Sequence, residues 1–274
     1  MTGKVYLVGA GPGDPELLTV KALRLVRSAD AVLHDDLVSP EILKLVSPGA
    51  RVINVGKRCG RKAIRQEEIN FLMVTLAGSG LQVVRLKGGD PLVFGRAGEE
   101  IEALRQADVA YEIVPGVTSA LGAAAAAGIP LTHRGHSSAI VLMAGRLADD
   151  HAEPEWRRLA ASGNTLVIYM PGKEYAHVAA HLISAGLVPS TPCAIISRAT
   201  TREQRVHRTT LADLHRAPLL SAPTLLVVGN VAGLADRTSS RHSQREWEPN
   251  LSQDVVQAFL ANGEWPTQER EPVV

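Results

Sequence analysis

The run from Arg85 to Glu100 limits the fold more than any other part of the chain. Val83, Val84, Arg85 and Leu86 read as a buried strand, Gly88, Gly89, Asp90 and Pro91 as a sharp exit from it, and a helix is expected from about Phe94 to Gln106. Adjacent glycines let a backbone pass close to a ligand, because no side chain intervenes. Pro91 stops the strand. A strand–turn–helix of this kind belongs to a sheet whose connections cross over it, and in open α/β sheets ligands gather at the carboxyl ends of the strands.

The pattern repeats on both sides. Apolar runs at 4–8, 31–33, 51–55 and 110–114 alternate with helical periodicity at 15–28, 40–46 and 66–77. Such alternation implies a mainly parallel sheet covered on both faces. Pro115 and Gly116 interrupt it, and Thr118 and Ser119 are placed to cap the Ala-rich helix that follows. A second alternation has strands at 139–143, 165–169, 193–197, 204–207 and 224–228, with helices near 154–161, 175–185 and 211–217. The expected fold is therefore α/β with two α/β domains and an inter-domain cleft: residues 1–115, residues 116–235, then a polar tail, 236–274, with one short amphipathic helix around Leu251–Leu260.

Composition removes several function classes. A net charge of +1 and 4% aromatic residues give no electrostatic or stacking basis for nucleic acid. The weakly polar run 116–131 is too short for a membrane span, and the first strand follows Met1 too closely for a signal peptide, so a cytoplasmic protein is expected. Cys59 and Cys193 cannot form a disulfide framework or a zinc site alone, and His177 with His181 lacks further ligands, so no metal is expected.

Gly9, Gly11 and Gly13 follow a strand, and Asp35 and Asp36 end the next one, as a dinucleotide fingerprint requires. The helix entry does not match. Asp14 and Glu16 place negative charge where a pyrophosphate would sit, and Pro12 and Pro15 remove two N–H donors. A nicotinamide-dependent oxidoreductase is thereby disfavoured, and a ligand without phosphate remains. On the same rim, residues 56–65 carry Lys57, Arg58, Arg61, Lys62 and Arg65, a cluster that would attract a small polyanion.

Seven stretches taken in order, 9–15, 35–39, 55–58, 66–70, 85–100, 114–118 and 128–134, resemble the tetrapyrrole methylases, most closely those that act on uroporphyrinogen III. The likeness covers residues 3–235. It implies S-adenosylmethionine folded into the cleft, S-adenosylhomocysteine as product, a homodimer, and methyl transfer to carbons 2 and 7 of uroporphyrinogen III. The product would be precorrin-2, the branch point toward sirohaem and cobalamin. By position, the resemblance assigns Pro12, Gly88, Gly89, Asp90, Val93, Thr118, Ser119, Met170 and Ala199 to the methyl donor. It assigns Asp35 as proton acceptor, Lys57 as proton donor, and Arg96 and Glu99 to the tetrapyrrole. Eight carboxylates on that acceptor suit Arg58, Arg61, Lys62 and Arg134. Asp35 and Arg96 both stand as candidates for removing the ring proton. His34, Ala199 and Pro171 depart from the family's usual residues. With the first strand so near Met1, methyl transfer is expected without the dehydrogenase–chelatase chemistry fused to some relatives. Methylation of a later corrin or of a haem d1 precursor, and tetrapyrrole binding without turnover, are the alternatives.

Overall fold

A computed structural model of the chain describes residues 3–56, 64–145, 156–160 and 163–234. Its first sheet contains β1 (Lys4–Gly9), β2 (Ala31–His34), β3 (Arg51–Asn54), β4 (Gln82–Lys87) and β5 (Tyr111–Val114), in the order β3-β2-β4-β1-β5. Every pairing in it is parallel, as the alternation requires. The crossovers carry α1 (Val20–Ser28), α2 (Pro40–Leu43), α3 (Gln66–Gly78) and α4 (Ala97–Gln106). Period-two burial divides the core. Val5, Leu7, Leu33 and Val83 pack with Ile69, Met73 and Leu76 of α3 and Leu104 of α4 on one face. Val8, Val32, Val84 and Leu86 pack with Ala22, Val26 and Ile42 on the other. Each fully buried Leu or Ile contributes roughly 1.5–3 kcal/mol by leaving water.

Next come α5 (Ser119–Ala127), β6 (Ile140–Ala144), α6 (Trp156–Ala160), β7 (Thr165–Tyr169), α7 (Tyr175–Ser184), β8 (Pro192–Ser197), β9 (Arg205–Thr210) and β10 (Thr224–Val228). The second sheet runs β6-β7-β10-β8-β9. It is mixed: β6 and β7 are parallel, whereas β10 pairs antiparallel with β7 and β8, and β9 antiparallel with β8. Alanines 120, 123, 124 and 127 lay α5 on Val167, Ala194, Ile196, Leu225 and Val227. Leu166, Ile168, Ile195 and Leu226 face Tyr175, Val178 and Leu182 of α7. Residues up to Ala235 form one compact unit.

Several elements differ from expectation. The helix expected over 15–28 is split, because Leu18 is extended and Thr19 caps α1, its hydroxyl accepting from Ala22 N at 3.1 Å; a 3-10 turn covers Pro15–Leu17. The expected helix at 94 starts at Ala97, since Phe94 and Arg96 adopt left-handed φ values of 53° and 56°. Only a 3-10 turn, Leu214–Arg216, occupies the helix expected over 211–217. Helix α2 ends at Leu43. The amphipathic helix expected within the tail lies outside the described residues. Among the described residues, no helix is long and apolar enough to cross a membrane, and no group of three metal-binding side chains occurs.

Candidate active site

The carboxyl ends of β1, β4 and β5 converge on backbone rather than on side chains. Gly11 and Gly89 exchange hydrogen bonds, N to O, at 3.1 and 2.8 Å, and Ala10 N donates to Lys87 O at 2.7 Å. A Cβ on Gly9 would lie 2.5 Å from Gly116 N, and one on Gly116 would lie 2.4 Å from Gly89 O. Glycine is required there by loops pressed together. Asp90 joins them further: Oδ1 accepts from Leu92 N at 2.9 Å and Oδ2 from Gly116 N at 3.0 Å. Each oxygen keeps a second lone-pair direction for a ligand hydroxyl or ammonium.

Beside this junction opens a cleft of about 920 Å³, including space open to solvent, with one wall from each sheet. Its lining contains Pro12, Gly88, Gly89, Asp90, Val93, Thr118, Ser119, Met170 and Ala199, and also Asp35. The structure thus brings together all the residues assigned by position to the methyl donor. Arg96 and Glu99 are not in the lining. They sit at the start of α4 as an exposed bidentate pair, Nε to Oε1 at 2.8 Å and Nη2 to Oε2 at 2.6 Å. That hydrogen-bonded pairing raises the Arg96 pKa and lowers that of Glu99. Arg134 lies in an exposed turn closed by His133 and Ser137, away from the lining. Lys57, Arg58, Arg61 and Lys62 fall outside the described residues.

Lys87, Phe94, Tyr169, Ile196 and Pro223–Leu225 also line the cleft, and sequence reasoning missed them. Tyr169 ends β7, and its hydroxyl meets Thr118 Oγ1 at 2.6 Å and accepts from Ala120 N at 3.0 Å. Thr118 is the N-cap of α5 but makes no side-chain bond to its own helix, so the tyrosine supplies the acceptor. The Phe94 ring lies against Tyr169 with centroids 4.7 Å apart. A single aromatic at the end of an apolar strand was the available signal.

Beneath the cleft is a buried charge network. Glu100, with 0% exposure, accepts on Oε1 from Arg85 Nε at 2.9 Å and Lys87 Nζ at 3.0 Å. Arg85 Nη2 reaches Asp35 Oδ1 at 2.5 Å, at the cleft wall. Two carboxylates thus face two cationic groups, which offsets the cost of burying charge. Burial pushes the Lys87 ammonium below the ordinary lysine range, and Arg85 pushes it further, against the pull of Glu100 and Asp35.

The loop after β1 offers no phosphate cradle. Gly11 N is taken by Gly89 O, Asp14 N donates to Thr200 Oγ1 at 3.1 Å, and Glu16 N donates to Asp14 Oδ1 at 2.9 Å. With Pro12 and Pro15 lacking donors, a pyrophosphate finds no set of free N–H groups. Residues present instead fit a phosphate-free adenosyl ligand: a carboxylate, the Thr118 and Ser119 hydroxyls, glycine backbone, and apolar walls from Val93, Ile196 and Leu225.

Residues 4–215 match the family model described as Tetrapyrrole (Corrin/Porphyrin) Methylases. The chain belongs to the tetrapyrrole methylases. Among curated members, siroheme synthase 2 of Aeromonas hydrophila is 51% identical over 236 residues, 86% of this chain and 50% of that protein. The siroheme synthase of Azotobacter vinelandii is 50% identical over 238 residues, again 86% of this chain and 51% of that one. The chain therefore spans about half the length of the curated relatives it matches. Among solved methylases, the uroporphyrin-III C-methyltransferase of Thermus thermophilus complexed with S-adenosylhomocysteine is 40% identical, with a TM-score of 0.75 over 85% of this chain and 100% of that one. A cobalt precorrin-4 methyltransferase is 33% identical with a TM-score of 0.75, covering 84% and 95%.

Proposed function

We propose that this chain transfers methyl groups from S-adenosylmethionine to carbons 2 and 7 of uroporphyrinogen III, giving precorrin-2 for sirohaem or cobalamin synthesis. The observation that carries this reading is the cleft between the sheets, lined by Asp90, Thr118, Ser119 and a glycine junction whose N–H groups are not free for phosphate. The likeness to the Thermus enzyme, 40% identical and covering 85% of this chain and 100% of that one, supports it. The same reading includes a cytoplasmic homodimer, with the cleft dividing domains 1–115 and 116–235.

The donor supplies an electrophilic methyl group. Gly88, Gly89 and Asp90 would form its floor, Thr118 and Ser119 would meet its polar groups, and Val93, Met170 and Ala199 would cover its apolar surface. A pyrrole carbon is itself the nucleophile, so no covalent enzyme intermediate is needed, and holding the two reactants in line supplies much of the acceleration. Arg96, paired with Glu99, and the basic segment 57–65 would receive the substrate carboxylates. Incubation of the purified chain with S-adenosylmethionine and uroporphyrinogen III, with product mass read by mass spectrometry, tests the reading. A dimethylated product is expected. Methylation of a later corrin intermediate, with none of uroporphyrinogen III, would transfer the activity to another branch of the family.

A further inference from the structure

Methylation of a pyrrole carbon leaves the ring cationic until a proton departs, so the cleft needs a proton acceptor. Three acidic or basic side chains line it with a defined set of partners: Asp35, Lys87 and Asp90. Asp90 holds two backbone N–H groups, and Asp35 is held at 2.5 Å by Arg85. Arg96 lies outside the lining and is clamped by Glu99, which strengthens its hold on its proton.

Lys87 differs from these. Its side chain is 3% exposed, and its ammonium meets Glu100 Oε1 at 3.0 Å. The stem passes under Gly95, where an added Cβ would lie 3.2 Å from Lys87 Cε. A neutral amine held this way donates one N–H to Glu100 and keeps a lone pair. We propose that Lys87 is the catalytic residue that accepts the departing proton, with Glu100 as its positioning residue.

This rests on the methyl-transfer reading above. In the step, a C–H bond of the methylene bridge beside the methylated pyrrole breaks, its electron pair forms a C=C bond to the adjacent iminium carbon and neutralises the ring nitrogen, and the proton forms the third N–H bond of a Lys87 ammonium. That proton passes to solvent once product has left. The charged groups bearing on Lys87 are Arg85 on its own strand, Glu100 from α4 and Asp35 after β2. Burial and Arg85 favour the neutral amine before the reaction, while Glu100 and Asp35 stabilise the ammonium after it. General base catalysis is most effective when the base titrates near working pH.

Lys87→Arg separates this role from a structural one. Arginine preserves the ion pair with Glu100 but does not lose its proton. Expected is a fall in kcat of about 100-fold or more, with S-adenosylhomocysteine affinity and melting temperature close to wild type. In Lys87→Ala, small primary amines should restore turnover in proportion to their neutral fraction. Independently of activity, acetylation of the ligand-free wild type, read at residue 87 by mass spectrometry across pH, should show a midpoint below that of exposed lysines. Wild-type turnover by Lys87→Arg, or a midpoint matching exposed lysines, overturns the proposal. A wild-type protein that yields no dimethylated product removes the methyl-transfer reading and this inference together.

Discussion

Tyr169→Phe removes one oxygen and tests how the cleft wall is held. That oxygen accepts from Ala120 N at 3.0 Å and meets Thr118 Oγ1 at 2.6 Å, while Ala120 is fully buried. Leaving a buried N–H without an acceptor costs about 1–3 kcal/mol, and the lost hydroxyl–hydroxyl bond adds about 1 kcal/mol. Thr118, freed, can rotate to cap its own helix, which recovers up to about 1 kcal/mol. The balance is a loss of about 2 kcal/mol, or roughly 4–8 °C in Tm for a unit of this size. Urea unfolding should show a lower midpoint at unchanged slope, since the exposed surface is the same. Thr118→Val is the companion variant: Ala120 keeps its acceptor, so the loss should be only about 1 kcal/mol. A Tyr169→Phe stability within about 0.5 kcal/mol of wild type (about a twofold change in the unfolding constant), or a Thr118→Val loss larger than that of Tyr169→Phe, would refute this account of the wall.

Asp90→Ala deprives Leu92 N and Gly116 N of their acceptor, so both donor affinity in calorimetry and stability should fall, the latter by about 1–3 kcal/mol; unchanged donor affinity would separate Asp90 from the donor site. Gly116→Ala forces a methyl to 2.4 Å from Gly89 O and should cost about 1–3 kcal/mol or more with loss of donor binding, as read by thermal shift with and without S-adenosylhomocysteine. Glu112 hydrogen-bonds Lys21 and Lys4, which hold its carboxyl down at about 2. Its stabilising contribution should be complete above the ordinary carboxylate range and fade as pH falls toward 2, so Glu112→Gln should lose the difference from wild type in acid unfolding.

The first sheet was legible because its strands are short apolar runs between helices of clear period, and β2 and β4 are buried on both faces. Strand direction in the second sheet was not, since apolar periodicity is the same for parallel and antiparallel pairing. The late start of α4 was hidden for another reason. Phe94 and Arg96 take left-handed backbone that no local propensity favours, while Phe94 rests on Tyr169, which is distant in sequence. In the site, the glycines and Asp90 stood out by residue type. Lys87 did not, because a lysine ending a strand reads as a solvated end, and only the fold brings Glu100 against it.

The two walls of the cleft have a consequence for the order in which the protein is made. Gly11 is the first lining residue to be synthesised and Leu225 the last. A nascent chain leaving the ribosome can pair β1 with β4 early, yet no complete binding surface exists until β10 is inserted between β7 and β8. Such distant contacts form late because loop closure must precede them. The ligand therefore cannot template the early folding of this chain, and its arrival marks molecules whose second sheet has closed around β10.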